Sequence, residues 1–329
     1  MSYILICFGT RPEYIKVKSL IDNLNNIKTC FTGQHLDLLN DIQCDYKLDI
    51  NNDLSSNRLN NIISSILNYN IFNNIKYVLV QGDTSSALAI ALSAFNNKIK
   101  IIHLEAGLRS YDINNPFPEE INRQLISRLA NIHFCPTEKN KNNLLIENIN
   151  KNIFVVGNTG LDNINSNNIE YNNIILITMH RRENLCNIKQ WFQHFEILAS
   201  KYRKYKFILP IHPNPDIHKH KHILKNINII EPLNHDDLIN ILKKGKLVIT
   251  DSGGLQEEAS YLKKKIIVCR KTTERDEIIN TFSYLCYEPK MIFDMFNNII
   301  NNYTIDLPCP YGDGKSWEKI KVILENIDK

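Results

Sequence analysis

Long apolar runs are missing from this sequence. No stretch approaches the roughly 18 residues that a bilayer-spanning helix needs, and the residues before Gly9 read as a strand rather than a signal peptide, with no basic start. A strong charge of one sign is missing too. The net charge is +4, which calls for neither nucleic acid nor an acidic membrane as partner but is compatible with a basic cleft for phosphates. None of the eight cysteines (Cys7, Cys30, Cys44, Cys135, Cys186, Cys269, Cys286 and Cys309) stands in a C-x-x-C pair. Spread through apolar runs such as Ile267-Val268-Cys269, they read as reduced, buried thiols of a cytosolic protein. No Gly-x-Gly-x-x-Gly follows the first strand, so a tightly bound dinucleotide cofactor is not signalled. Gly-x-Ser-x-Gly and Walker loops are absent as well. His218, His220 and His222 alternate with Lys219 and Lys221, which repel a cation, and no carboxylate spacing typical of zinc enzymes accompanies them. No metal is called for.

What is present is a globular composition in a chain of 329 residues, 43% hydrophobic and 22% charged. That length suits two domains of roughly 150 residues each. Asn, Ile and Lys are used heavily, and polar stretches such as 23–26 and 163–173 read as loops without functional content. Short apolar runs recur as strands: Tyr3–Phe8, Tyr77–Val80, Ile99–Leu104, Asn131–Cys135 and Ile153–Val156 in the first half. Ile174–Thr178, Phe207–Ile211, Ile227–Ile230, Leu247–Thr250 and Ile266–Cys269 repeat the design in the second. Helical stretches such as Ala87–Phe95 alternate with them, which implies α/β domains with parallel sheets covered on both faces. The linker is expected in the polar stretch after Asn158-Thr159-Gly160, dividing the chain into domains 1–160 and 161–310. Polar motifs cluster just past the strand C-termini, where open α/β sheets bind ligands.

Each motif has a chemical and a plain structural reading. In Gly9-Thr10-Arg11-Pro12-Glu13, Gly permits a tight turn and Pro suits the first helical turn. Arg11 and Lys16 could meet an anion there, or be solvated charges beside a helix cap. In Asp251-Ser252-Gly253-Gly254, two glycines before a helix bring backbone N–H groups and the helix dipole to a phosphate. Ser252 adds a hydroxyl there, and Glu258, one turn on, suits ribose hydroxyls; an ordinary N-capping turn is the alternative. Asp83, Glu105 and Glu119 suit acid–base work on a carbon-bound proton and a leaving oxygen, or serve as caps and ion pairs. His180-Arg181-Arg182-Glu183 combines a group that titrates near neutrality with two guanidinium forks, a phosphate site or a surface charge cluster.

Taken in order, the motifs are more specific than any one of them. Gly9–Glu13, Gln81-Gly82-Asp83-Thr84, His103–Arg109, Pro118–Arg123, Gly157-Asn158-Thr159, His180–Asn184, Asp251–Glu258 and Thr272-Thr273-Glu274-Arg275 occur in that order, and the Pro310-Tyr311-Gly312-Asp313-Gly314 segment follows them. This succession resembles the UDP-N-acetylglucosamine 2-epimerase family of the non-hydrolysing type. The resemblance implies two Rossmann-like domains facing a central cleft (GT-B type), with the helix of 311–329 returning to the N-terminal domain. It implies loss of the C2 proton as UDP leaves anti, a 2-acetamidoglycal held with UDP, and re-addition with the proton returned from the opposite face, without a cofactor. Carried over by position, Asp83, Glu105, Glu119 and His180 match catalytic residues. Arg11, Lys16, Leu233, Leu238, Ser252, Gly253, Gly254, Glu258 and Arg275 match substrate positions, the two leucines lying where the family contacts uracil. The implied substrate is UDP-GlcNAc, giving UDP-ManNAc, or a UDP-6-deoxy-L-aminosugar such as UDP-L-RhaNAc, giving UDP-L-QuiNAc. A hydrolysing epimerase releasing UDP and ManNAc and a GT-B glycosyltransferase are the rivals. A cytoplasmic homodimer serving polysaccharide biosynthesis is the family habit. The chain departs from the family at the second, activating UDP-GlcNAc site. Gln34-His35-Leu36-Asp37 keeps the first Gln of a Gln-His-x-Gln stretch and lacks the second, and no equivalent Arg occurs near Asn51–Leu54, although Arg181 and His212 match.

Overall fold

A computed structural model of the chain describes residues 2–34, 42–49, 58–114, 116–301 and 305–327. His35, Leu36, Asp37 and Asn51–Leu54 lie outside the described residues. Two compact units result, one of Met1–Asn163 with Tyr311–Lys329 and one of Ile164–Pro310.

In unit 1 the strands are β1 (Tyr3–Phe8), β2 (Ile27–Phe31), β3 (Tyr46–Lys47), β4 (Ile75–Gln81), β5 (Lys100–Leu104), β6 (Ile132–Cys135) and β7 (Ile153–Val155), with helices α1 (Arg11–Asn23), α2 (Arg58–Leu67), α3 (Ser85–Asn96), α4 (Glu119–Leu129) and α5 (Glu138–Ile146) between them. They form a parallel seven-stranded sheet in the order β3-β2-β1-β4-β5-β6-β7. The order reverses between β1 and β4, the place where doubly wound sheets open a crevice for ligands. Both faces of the sheet are apolar: Leu5, Val78 and Val80 pack on one side with α2 and α3 residues, and Ile6, Leu79 and Ile102 on the other with α1 residues. This is the burial that the uninterrupted apolar runs announce.

Unit 2 comprises β8 (Ile174–Thr178), α6 (Arg182–Leu185), α7 (Ile188–Lys201), β9 (Lys206–Pro210), α8 (Pro215–His218), β10 (Asn228–Ile230), α9 (His235–Lys244), β11 (Leu247–Thr250), α10 (Gly253–Tyr261), β12 (Lys265–Val268), β13 (Ser283–Leu285) and α11 (Ile292–Asn301). Its sheet runs β10-β9-β8-β11-β12-β13, the Rossmann order, with its own reversal between β8 and β11. The last helix, α12 (Ser316–Asn326), belongs to unit 1, where Ile320 packs in the β1/β4 core.

A single carboxylate ties this last helix down. Asp162 accepts the backbone N–H groups of Ser316 (2.9 Å) and Trp317 (2.8 Å), capping α12, and also the hydroxyl of Ser19 in α1 (3.2 Å). Alongside, the Asn158 N–H donates to the Tyr311 carbonyl at 2.8 Å, so the Gly157-Asn158-Thr159 and Tyr311-Gly312 motifs form one junction.

Strands β2, β3 and β13 are additions to the sequence expectation, and β9 and β12 each begin and end one residue earlier than expected. Cys269 therefore lies just past its strand. The cysteine reading needs correction in part. Cys7, Cys30, Cys135, Cys269 and Cys286 are buried, but Cys44 and Cys309 are partly exposed and Cys186, at the end of the short α6, is exposed. Among the described residues no helix is long and apolar enough to cross a membrane.

Candidate active site

The unit 1 residues come together because the loops after β1 and β4 flank the sheet reversal. Thr10 caps α1, and Glu13 returns the favour: its buried carboxylate accepts the Gly9 and Thr10 N–H groups at 2.9 and 2.7 Å. Its other oxygen accepts the hydroxyl of Thr84 at 2.7 Å, stapling the two loops together. Burial pushes the Glu13 carboxyl up, against the pull of these hydrogen bonds. Arg11 opens α1 and is exposed.

Lys16, expected at an anion, forms an ion pair with Glu105, which also accepts from Gln81. Glu105 adopts the left-handed backbone (φ 64°), uncommon for a residue with a Cβ. Two residues on, Gly107 (φ 85°) is obligatory, since a Cβ would lie 2.1 Å from the Asn140 carbonyl oxygen. His103, pushed down to about 3 by burial, stays neutral and donates through Nε2 to the Gly82 carbonyl at 2.9 Å.

Asp83 is held by α4. Arg123 grips its carboxylate through Nε at 3.0 Å and also through Nη2, while Asn122 donates to its backbone carbonyl at 2.9 Å. Glu120 is structural: fully buried, it accepts from Ser110 and Tyr111 and pairs with Arg123 at 3.2 Å. Glu119 begins the same helix, and its Oε2 is buried with no hydrogen-bond partner among the described residues. The Glu-Glu pair is thus both readings at once, a helix start and a carboxylate left open.

In unit 2 the pairing of Thr178 with Thr250, whose hydroxyls lie 2.6 Å apart, brings the ends of β8 and β11 together. His180 and Ser252, two residues past each strand, are thereby neighbours in the reversal crevice. Ser252 caps α10 through the Leu255 N–H at 3.5 Å. A Cβ on Gly254 would meet nothing within 4 Å, so open space lies over that helix start. Beside it, a Cβ on Gly253 would lie 3.2 Å from the Arg275 guanidinium carbon and 3.4 Å from Arg181 Nη2. Two guanidinium groups therefore border a helix N-terminus, the arrangement of an anion site.

The two arginines differ. Arg275 is buried and pairs with Glu257 at 2.8 Å, in a network that continues through Glu274 and Arg270 to Glu183. Burial pushes the Glu274 carboxyl up, but Arg275 and Arg270 outweigh it and bring it to about 2. Arg181 makes no carboxylate ion pair among the described residues, and burial, followed by nearby Arg270, lowers its pKa. Glu258, expected at ribose, pairs with His235 at the start of α9 (2.7 Å), and Leu233 and Leu238 flank that helix start, both partly buried.

Sequence reasoning did not single out Arg123, Gln81, Glu13, His235 or Asp251 as site residues. Four of them lie inside motifs that it quoted, and His235 lies between the two leucines. No group of three or more His, Cys, Asp or Glu side chains among the described residues could hold a metal ion.

The sequence profile of the UDP-N-acetylglucosamine 2-epimerase family matches residues 21–325. A UDP-N-acetylglucosamine 2-epimerase of Campylobacter jejuni is 39% identical, the match covering 98% of this chain and 97% of its own. Among solved structures, the UDP-GlcNAc 2-epimerase from Neisseria meningitidis bound to UDP-GlcNAc superposes with a TM-score of 0.86 at 34% identity, covering 98% of this chain and 100% of that one. The Methanocaldococcus jannaschii UDP-GlcNAc 2-epimerase in complex with UDP-GlcNAc and UDP gives 0.79 at 32%, covering 99% of each. Two Rossmann-like units, one carrying carboxylates and one an anion site, define a nucleotide-sugar enzyme of the GT-B class. The chain belongs to the UDP-N-acetylglucosamine 2-epimerase family and is an isomerase.

Proposed function

We propose that the chain inverts C2 of a UDP-linked 2-acetamido sugar without hydrolysis, by elimination and re-addition of UDP. Unit 2 supplies the diphosphate site: the open backbone at Gly253-Gly254, the Ser252 hydroxyl, Arg181, Arg275 and His180. Leu233, Leu238 and Glu258 take the nucleoside. Unit 1 supplies Arg11, Lys16 and the carboxylates. The observation that carries the reading is the contrast among these carboxylates: Asp83 and Glu105 are each engaged by a cation, whereas Glu119 keeps a buried oxygen with no hydrogen-bond partner among the described residues.

An unengaged lone pair suits the acceptor of the C2 proton, and we assign that role to Glu119. As the C2–H bond breaks, its electrons form the C1–C2 double bond and the C1–O bond pair leaves with UDP. His180 and the guanidinium groups stabilise the charge gathered on the departing phosphate. Re-addition reverses the flow: Asp83 or Glu105, carrying a proton taken up from solvent, delivers it as a carboxylic acid to the opposite face of C2, and Glu119 releases the proton it abstracted to solvent. No external oxidant or water is consumed.

Incubation with UDP-GlcNAc tests this reading. A reversible mixture of two UDP-sugars supports it, and stoichiometric release of free UDP with ManNAc overturns it in favour of hydrolysis. The departure at Asp37 from the activator motif favours a second substrate, a UDP-6-deoxy-L-aminosugar, which a substrate panel separates from UDP-GlcNAc. A cytoplasmic homodimer belongs to the same reading, and light scattering measures the assembly.

A further inference from the structure

Asp251 is a fully buried carboxylate with its donors all on one neighbouring turn. It accepts the backbone N–H of His180 at 3.1 Å, that of Arg181 at 2.9 Å and the side-chain amide of Asn184 at 3.0 Å. The turn after β8 is thereby wrapped around the end of β11. The same carboxylate faces the imidazole: Oδ1 lies 3.4 Å from His180 Nδ1, within ion-pair reach and longer than a formed hydrogen bond. Such contacts shorten when ligand fills a site.

We propose that Asp251 is a positioning residue that sets the tautomer of His180, keeping a proton on Nδ1 and presenting Nε2 to the phosphates of the nucleotide. The proposal rests on the reading of His180 as a phosphate contact. A buried carboxylate beside one ring nitrogen favours a proton there, and fixing one nitrogen fixes what the other presents. The His180 side chain is 37% exposed although Asp251 is not exposed at all, so the edge away from the carboxylate is the open one.

His212, after β9, supplies a contrast. Its ring stacks on His180 with centroids 5.8 Å apart and 21° between planes. Its Nδ1 accepts the Asn214 N–H at 3.2 Å, which places its proton on Nε2. The stacked pair carries opposite tautomers. The charged and titratable groups around His180 are Asp251 from the β11 end, His212 from the β9 end and Arg181 beside it on its own turn, with Arg275 beyond Arg181 at Gly253.

The test is nitrogen-15 NMR of the histidines in the full chain, with His180 assigned through His180→Gln. The neutral His180 ring of the unaltered enzyme is expected to carry its proton on Nδ1, and a ring protonated on Nε2 overturns the proposal. This readout does not depend on Asp251→Asn, so a failure of that variant to fold leaves it decisive. In Asp251→Asn, kcat falls about 100-fold, the neutral His180 ring loses its preference for a proton on Nδ1, and UDP affinity falls by about tenfold with the lost phosphate contact. An unchanged His180 tautomer in that variant overturns the proposal. Addition of UDP separately reports on the parent reading: if the His180 Nε2 signal does not respond, the phosphate contact fails whatever the tautomer.

Discussion

Arg123 holds Asp83 through one edge of its guanidinium, Nε lying 3.0 Å from Oδ2 and Nη2 reaching the same oxygen, while Nη1 reaches Glu120 at 3.2 Å. One arginine thus fixes a candidate catalytic carboxylate on the loop after β4 to the start of α4, the helix that also presents Glu119.

Arg123→Lys keeps the charge and loses the planar fork. The expected result is a fall in kcat of about 10- to 100-fold with UDP affinity little changed, because a misplaced carboxylate costs transition-state geometry rather than nucleotide binding. Steady-state kinetics with UDP binding by calorimetry checks both. A variant that loses affinity and keeps kcat would remove Asp83 from the chemistry.

Gly254→Ala separates fold from function at the anion site. A methyl group there meets nothing within 4 Å, and alanine favours a helix by about 1 kcal/mol over glycine. Thermal stability is expected to hold or rise. The methyl group occupies the space above the helix start, so UDP binding is expected to weaken by about tenfold or more, the loss of one close phosphate contact. Unchanged UDP affinity by calorimetry would place the phosphates elsewhere.

The ion network of unit 2 carries a pH signature. Glu274 is brought from an ordinary 4.5 to about 2. A carboxyl with a depressed folded pKa adds stability above its unfolded value, and that stability is lost as pH falls through the folded one. The gain, on a scale of about 3 kcal/mol at most, is therefore full above about pH 4.5 and fades towards pH 2. Urea unfolding of the unaltered chain and of Glu274→Gln should differ at pH 7 and converge near pH 2. A constant difference across that range would contradict the assignment.

Asp162→Ala removes the cap of α12. The loss of the two backbone acceptor contacts should cost about 1–2 kcal/mol. Hydrogen exchange should quicken first at Ser316 and Trp317, whose N–H groups Asp162 accepts. Uniform exchange across unit 1 would show that the cap does not hold this helix locally.

Much of this architecture is legible from residues alone. β1, β8 and β11 coincide with apolar runs because central parallel strands are buried on both faces and need no alternation. β2 was not legible: its Lys28 and Thr29 interrupt the apolar pattern, and pairing with β1 supplies what composition does not. β3 and β13, of two and three residues, exist only through their neighbours' hydrogen bonds. At the site, spacing places the polar motifs just past strand ends but does not tell which side chains spend their charge internally. Lys16 and Glu105 satisfy each other, as do His235 and Glu258. Nothing in the sequence distinguishes them from Arg181 and Glu119, because partners far apart in the chain meet only in the folded units.

The most direct measurement is NMR of the reaction run in heavy water with UDP-GlcNAc and with UDP-linked N-acetyl-6-deoxy-L-aminosugars. The account predicts deuterium at C2 of the sugar at a rate matching epimerisation, no accumulation of free UDP, and loss of both signals in Glu119→Gln with UDP binding retained. Retention of the original C2 hydrogen in an epimerised product would contradict it.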